Sequence, residues 1–575
     1  MNDRTLNCKN SPPEFWRAYL NNMPKQICII VLAFIAFAFT GCHRVVEEKR
    51  SDLPSLHITM TSLQLDSIMA DRDNKVSAYA LLTDAQGDTV FEGDLTHIKT
   101  RGNSTFKEKK KPFNIKFPQK QAFFGLDRGR SFVLLANACD ESHIRNAIAL
   151  DLARAMGIPA SRYAYLSLYI NGTYLGLYQI TNKVRVSKDA LDITDLDKRN
   201  EWFNPKPLEE YEWYGVGRKK QAIQRMGVLL DNDPDDITGG YLIDNTGTQV
   251  PYQRSFSGFV SNACDNIRLI SPKYASPREV NYIANLYNEM ESAVLASDGI
   301  CPETGRHYSE YLDMESFARY YLLNELLLNW DGGWASFLMY KDIDAVDPKF
   351  YAGPAWDYDR TLDNSFFQKA TLVYPNELCV CERQGKFGVA HSGGLLYHLC
   401  QHEDFQQKVC DCYLNEISAV CNQYLARQPF DSLVDLLSKE ADCDNAKYQT
   451  RISADYVTAV KRATGFLRDR VAFFDQYYST MQEGHVSVSY EWKYQREWTF
   501  CFPLGEPVCA PQVTDVVYNH DPVYVMYYPG TDSVVPDGTV FQTPQNLELR
   551  KCEPSDHEVL KRRIRKKLTK LGLGF

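Results

Sequence analysis

Three shortages narrow what this chain can do before any motif is read. It has no surplus of positive charge: 64 Lys and Arg stand against 73 Asp and Glu, a formal net charge of -9. Binding to a phosphate backbone is carried mainly by surplus Lys and Arg, so the balance argues against a dedicated nucleic-acid binder. The apolar run from Ile27 to Phe39 is shorter than the ~20 residues of a spanning helix. The pairs Cys379-Val380-Cys381 and Cys410-Asp411-Cys412 lack the two-residue spacing of structural zinc knuckles, which favours disulfides or buried thiols. What is present is ordinary globular composition over 575 residues, enough for a large core in about two to four domains.

Residues 23–42 open on Met23-Pro24-Lys25-Gln26, continue through the apolar run and end in Phe39-Thr40-Gly41-Cys42, the pattern of an export signal. The last four residues resemble a bacterial lipobox, whose Cys is acylated and becomes the new N-terminus. Residues 1–41 then read as the export segment, with 1–22 an upstream extension or a long basic region, and 42–56 as a polar tether. The alternative is an uncleaved anchor. Either way the body faces outwards; the lipobox reading makes it lipid-anchored in the bacterial cell envelope, periplasm-facing or surface-exposed, and Glu47 and Glu48 favour the outer surface. Thirteen cysteines follow Cys42, so in an oxidising compartment at least one stays unpaired.

From Ile58 the pattern is β-like. Val76 to Leu82 reads as a strand, 84–88 as a turn, Thr89 to Glu92 as the return, and Leu95 to Thr100 as a further strand. It leads into Arg101-Gly102-Asn103-Ser104-Thr105, a loop that can grip an anion or form a solvated tip. Phe113, Ile115 and Phe117 alternate on one strand face, placing Lys116 on the other. Asp140 reads as the N-cap of a helix ending near Met156, with Ile144, Ile148, Leu152 and Met156 on one face, and Arg145 and Asn146 on its first turns. Asn171-Gly172 predicts a type I′ hairpin turn pairing Ile170 with Thr173 and Leu168 with Leu175. Leu166, Leu168, Leu175 and Leu177 then share one face, and Tyr165, Tyr169, Tyr174 and Tyr178 the other.

Residues 195–236, rich in charge, Pro and Gly, read as a long insertion or mobile loop. Gly239 to Asp244 restarts a strand, 277–297 form an amphipathic helix, and Asp313 caps a helix running to Asn329. Residues 390–480 are helical. Beyond Glu483 the alternation Val486-Ser487-Val488-Ser489-Tyr490 suggests a small β-rich appendage, 483–575, ending in the basic run Lys561 to Lys567, which reads as a solvated tail.

The centre of the chain is 329–364. A helix ends in Asn329-Trp330-Asp331-Gly332-Gly333, and a strand-like run ends in Trp356-Asp357-Tyr358-Asp359. The apolar run Ser336 to Lys341 between them predicts a hairpin that brings the two carboxylate clusters together. Carboxylates at the ends of buried elements repel one another and lose hydration, a cost that a cation or a proton in transit offsets.

Taken in order, Arg101-Gly102-Asn103-Ser104 with Lys110-Lys111, Asp140 to Arg154, Gly176-Leu177-Tyr178, Asn329-Trp330-Asp331 and Trp356 to Asp359 resemble the bacterial spore-coat-protein-H (CotH) kinase family over roughly 58–480. The resemblance implies an α+β, atypical protein-kinase-like domain at 57–482, with a β-rich N-terminal lobe and a helical C-terminal lobe. It also implies ATP and Mg2+ or Mn2+ in the cleft between them, and phosphoryl transfer to hydroxyl groups of a protein acceptor. Asp357 matches the metal-binding Asp and Asp331 the Asp at the place of the catalytic base, with Arg101 and Asn103 near phosphate and Lys111 or Lys116 as the phosphate-facing cation. Asn182 stands where family members commonly carry Glu, Ser336 where a kinase offers a metal-binding Asn, and Asp363-Asn364 where Gly-Asn is usual. Those departures motivate the rival reading, a noncatalytic surface protein binding a glycan or protein.

Overall fold

Alternating apolar residues in the first third of the chain roll its strands into a closed barrel. The computed structural model describes residues 52–575 except 103–104, 216–224, 247–256, 330, 334, 365–374, 379–393, 428–429, 449–454, 493–495, 511–522 and 553–575. Strands β1 (Ser55–Thr59), β2 (Val76–Thr83), β3 (Thr89–Thr100), β4 (Phe113–Gln121), β5 (Gly129–Leu135), β6 (Tyr163–Ile170) and β7 (Thr173–Asn182) close in the order β1-β2-β3-β4-β5-β7-β6. Closure comes from parallel pairing of β1 with β6, Leu56 opposite Leu168 and Ile58 opposite Ile170. Ile98, Ile115, Phe117 and Phe132 fill the interior, each at most 1% exposed. A fully buried side chain of this size contributes about 1.5–3 kcal/mol.

The two strands expected over 89–100 are one, β3, with a register shift opposite Val76 and Ala78. Asn171 and Gly172 take the positive φ values of the predicted turn, 50° and 75°. The register holds through Ile170–Thr173 and Tyr169–Tyr174 and then slips, so that Leu168 faces Gly176 and Leu166 faces Tyr178. One extra residue on β7 moves every later side chain to the opposite face. Tyr178 therefore packs inside the barrel with Leu166 and Leu168, while Leu177 and Tyr165 face outwards, which corrects the predicted faces.

Helix α1 (Ser62–Ala70) follows β1 behind a capping box of Thr61 and Gln64. Helix α2 (Arg145–Ala155) lies between β5 and β6, with Ile144, Ile148, Leu152 and Met156 buried as expected. Its N-cap is Ile144, not Asp140. Asp140 is fully buried one turn earlier, and its carboxylate accepts from the Ser142 and Arg145 backbone N–H groups at 3.0 Å each.

The predicted insertion at 195–236 is in large part structured. It supplies α3 (Leu196–Phe203), β8 (Trp213–Tyr214) and β9 (Arg225–Val228), and Leu196, Leu208 and Tyr211 are buried. A seven-stranded sheet runs β14-β13-β10-β12-β11-β9-β8, with β10 (Tyr241–Asn245), β11 (Gly258–Val260), β12 (Asn266–Ser271), β13 (Phe337–Lys341) and β14 (Tyr351–Ala352). Helix α4 (Pro277–Leu295) starts on a Ser276–Glu279 capping box, and α5 (Met314–Leu326) on Asp313, whose carboxylate accepts from Ser316 N–H at 2.7 Å.

Glu279 is fully buried, and burial pushes its carboxyl up to about 8 against the hydrogen bonds from Ser276 and Asn200. The folded chain keeps this proton between roughly pH 4.5 and pH 8, where the unfolded chain releases it, so stability falls as pH rises through that window. Glu279→Gln has no proton to release. Its unfolding midpoint in urea is expected to change less between pH 5 and pH 8.5 than the parent's; equal slopes would show that Glu279 titrates normally.

The later chain is helical, as predicted, with α6 (Leu395–Leu399), α7 (Glu403–Cys412), α8 (Ser418–Ala426), α9 (Phe430–Tyr448) and α10 (Tyr456–Ser479). A C-terminal sheet runs β15-β17-β16-β22-β19-β20, built from β16 (His485–Trp492), β17 (Arg496–Pro503), β19 (Val523–Tyr527), β20 (Val534–Val535) and β22 (Gln545–Cys552). Its edge strand β15 (Glu377–Leu378) comes from the middle of the chain; β18 (Pro507–Val508) pairs with β21 (Thr539–Val540). Cys264, Cys301, Cys410, Cys412, Cys421, Cys443 and Cys509 are free thiols, and of these Cys301, Cys410, Cys412 and Cys421 are buried. Cys42, Cys379, Cys381 and the basic tail lie outside the described residues, and no described helix is long and apolar enough to cross a membrane.

Candidate functional site

The hairpin expected at the centre of the chain forms. β13 pairs antiparallel with β14, Met339 opposite Ala352, and β13 also pairs with β10, Asp244 opposite Leu338. Ser336, just before β13, and Asp357, after β14, thereby meet: Ser336 Oγ donates to Asp357 Oδ2 at 3.1 Å. Asp331 sits on the turn after α5. There Asn329 N–H donates to Asn324 O at 2.8 Å, Asp331 N–H to Asn329 Oδ1 at 3.1 Å, and Ala335 N–H back to Asp331 O at 3.1 Å. A Cβ on Gly332 would lie 2.9 Å from Asn329 O, and Gly333 has φ +81°, so this turn needs both glycines.

The carboxylates converge electrostatically. Burial raises the Asp359 carboxyl to about 7, and the charges of Asp357, Asp140 and Asp331 add to the rise while Arg360 opposes it. Asp244, 8% exposed on β10, is likewise raised by burial and by Asp357, with Arg268 opposing through a 2.8 Å ion pair. Leu328, Ser336, Asp357 and Leu362 all have positive φ, 48°, 53°, 74° and 56°. Bulky residues avoid this region unless the surroundings impose it, and such strain gathers at functional sites.

Helix α2 holds the Asp357 loop from beneath. Asn146 Oδ1 accepts from Tyr358 N–H at 2.9 Å, and Asn146 Nδ2 donates to Asn137 Oδ1 at 3.1 Å. Arg145, on the first turn of α2, is 1% exposed and joins Asp140 to Asp363, which also pairs with Arg462 on α10. Asn364 Nδ2 donates to Cys139 O at 2.7 Å and to Asp359 O at 2.8 Å. The Asp363-Asn364 departure is thus a lock between the Asp357 loop and two helices.

A cationic wall faces these carboxylates. The Arg101 guanidinium lies 4.9 Å over the Trp356 ring, its pKa lowered by burial while Asp357 and Asp359 pull it back up. Asn103 falls outside the described residues. Lys111 is turned into its own loop: its Nζ donates to the Phe106 and Glu108 carbonyls and lies 4.4 Å from the centre of the Phe106 ring. Lys116 stands on the outer face of the barrel, opposite His97 and Ser131. Asn182 is 1% exposed, with its Oδ1 taking Asp127 N–H at 3.0 Å and its Nδ2 giving to Asp127 O at 2.7 Å, so it clamps a barrel turn.

Beside Arg101 and Arg268 stands a third cation, Lys183, to which the sequence reading gave no role. Water reaches its side chain, yet surrounding protein lowers its ammonium to about 8, helped by Arg268, Lys273, Lys99 and Arg101, the situation of a group on a cleft wall. The signal was available: once Asn182 points inwards, alternation points Lys183 outwards. Arg268 and Asp244 carried no such signal, because only the β10–β12 and β10–β13 pairings bring them here.

The donors on the acidic wall are carboxylates and a hydroxyl. Among the described residues no group of three or more His, Cys, Asp or Glu is placed to hold a metal ion by itself. Mg2+ suits such an incomplete oxygen set, since it takes one or two carboxylates and leaves its other positions to phosphate and water. Asp357 and Ser336 would hold it, with Asp331 or Asp359 beside them.

A search among curated proteins returns no match for the chain. The family model described as CotH kinase protein matches residues 98–474, from the end of β3 to the last turns of α10, and includes every carboxylate named above. The chain belongs to the CotH kinase protein family.

Proposed function

We propose that the protein is a metal- and nucleotide-dependent phosphotransferase acting on hydroxyl groups of a protein acceptor, in a kinase-like cleft between the barrel and the helical part. The observation that carries this reading is the opposition of charge at one site, with Asp331, Asp357 and Asp359 together and Arg101 against Asp357 and Asp359, Arg268 and Lys183 adding cations beside Arg101. Phosphoryl transfer requires mostly positioning and neutralisation of phosphate charge. Arg101 and Lys183 neutralise phosphate oxygens, Asp357 and Ser336 would hold a divalent cation, and Asp331 takes the proton of the attacking hydroxyl. A bound Mg2+ or Mn2+ would supply charge neutralisation between phosphate oxygens. Trp356, stacked under Arg101, keeps the guanidinium from turning away.

Calorimetry with ATP and Mg2+ or Mn2+ tests the reading. Binding is expected in the parent and lost in Asp357→Ala; absence of nucleotide binding with either metal overturns it. In that case the rival, a binding protein that keeps the scaffold, stands on the capture of Asn182 by Asp127, which leaves no carboxylate at that position to orient a phosphate-binding lysine.

We further propose lipid anchoring through Cys42 in the bacterial cell envelope. The motif Phe39-Thr40-Gly41-Cys42 supports it. Cys42→Ser is expected to move the protein from the membrane to the soluble fraction; unchanged membrane association refutes acylation as the tether.

A further inference from the structure

The registers of four barrel strands place a row of polar and basic side chains across the outer face. His97 on β3 lies opposite Lys116 on β4, Lys116 opposite Ser131 on β5, and Lys183 N–H, at the end of β7, donates to Ser131 O at 3.2 Å. Their neighbours Ile98, Ile115 and Phe132 point into the barrel, so this row points out. Lys99, one pleat along and opposite Asn114, joins the same face.

Further cations surround the row. The charge of Lys273, just past β12, reaches both Lys116 and Lys183, and the charges of Lys75 and Arg130 reach Lys116. His97 is pushed down to about 4 by burial and then by Lys75, Lys116, Lys99 and Lys183, so it is a neutral hydrogen-bonding group at neutral pH. Lys75, Lys116 and Lys183 make no ion pair among the described residues. Among the described residues Glu209 is the one carboxylate whose charge reaches Lys116, so cations outnumber it here in a chain of net charge -9, and such an excess attracts an anionic partner.

We propose that this outer row of the barrel docks an acidic segment of a polypeptide acceptor and leads its hydroxyl towards Asp331. The inference rests on the phosphotransfer reading for what happens to the segment, but not for its binding. Spacing favours an extended peptide. Neighbouring strands lie ~4.8 Å apart, so Lys75, just before β2, and Lys116 on β4, two strands apart, are separated by about 10 Å across the sheet. Carboxylates on one face of such a segment, at i and i+2 or i and i+4, about 7 or 13 Å apart, bracket that separation and reach both lysines through their side chains. Asn114 Oδ1, shut off from water with no hydrogen-bond partner, gains one when the amide turns towards a peptide N–H. A phosphate backbone or a lipid headgroup layer presents chiefly acceptors.

Fluorescence anisotropy on the full chain tests this, with a labelled twelve-residue Glu-rich peptide carrying one Ser, its Lys-rich counterpart, a single-stranded oligonucleotide and anionic phosphatidylserine vesicles as probes. The Glu peptide is expected to bind best, more weakly as salt is raised, and at least about tenfold more weakly to Lys75→Glu/Lys116→Glu. ATP affinity and unfolding midpoint in that variant should match the parent; the milder Lys116→Gln should show an intermediate peptide affinity and guards against a folding defect. Equal or tighter binding of the Lys peptide, the oligonucleotide or the vesicles overturns the proposal, as does unaltered Glu-peptide binding by both variants. Peptide binding without ATP binding would sink phosphotransfer and leave the docking surface, and the converse would sink only the docking surface.

Discussion

Asp444→Ala is expected to lower the free energy of unfolding by about 3–5 kcal/mol, the cost of leaving one partner of a buried ion pair uncompensated. Asp444 on α9 and Lys110 are both 2% exposed, and their side chains meet at 2.8 Å. Burial lowers the Lys110 ammonium and Asp444 holds it up, so removing the carboxylate strands a charge in the interior. The same carboxylate accepts Leu177 N–H at 3.0 Å and lies 3.7 Å from His143 Nε2. It also explains the glycine of Gly176-Leu177-Tyr178: a Cβ on Gly176 would come within 1.9 Å of Asp444 Oδ1. Tyr178 completes the joint by donating to Lys111 O at 2.9 Å beneath Lys110. Replacing both partners, as Lys110→Met/Asp444→Leu, is expected to cost less than the single change, because apolar residues of similar volume need no compensation. Urea unfolding of the three chains measures this. A single-variant loss below about 1 kcal/mol, the range of an exposed pair, would mean that the joint is solvated.

Asp331→Asn is expected to slow phosphate transfer by about 10²–10⁴-fold, the usual contribution of a positioned general base. ATP affinity should stay close to the parent's, since Asp357, Arg101 and Lys183 are retained. The turn that presents Asp331 is built from backbone groups, Asn324, Asn329 and two glycines, so the amide of Asn keeps the shape while losing the proton-accepting charge. Transfer of labelled phosphate from ATP to the chain itself or to an added protein, measured beside calorimetric ATP affinity, separates the two effects. Full transfer by Asp331→Asn would remove Asp331 from the chemistry. Loss of ATP binding together with transfer would instead make it part of the binding site.

Local pattern was enough for much of this protein. Residue alternation located the strands around Val76, Phe113 and Tyr165, four-residue recurrence placed the buried face of α2, and Asn171-Gly172 determined its turn, because each depends on neighbours along the chain. The meeting of the 331 and 357 regions was also legible, since a short hairpin needs only adjacent strands. What tertiary structure alone decided were the contacts that sequence separation hides. The parallel β1–β6 pairing closes the barrel, and the bulge in β7, where Asp444 from some 270 residues beyond Gly176 takes the Leu177 N–H, reverses the faces of that strand. Arg145 becomes a buried bridge only because Asp363 and Asp140 arrive on either side of it. Lys183 stands beside Arg268 and Lys273 for the same reason: residues so far apart along the chain become neighbours only in the assembled fold.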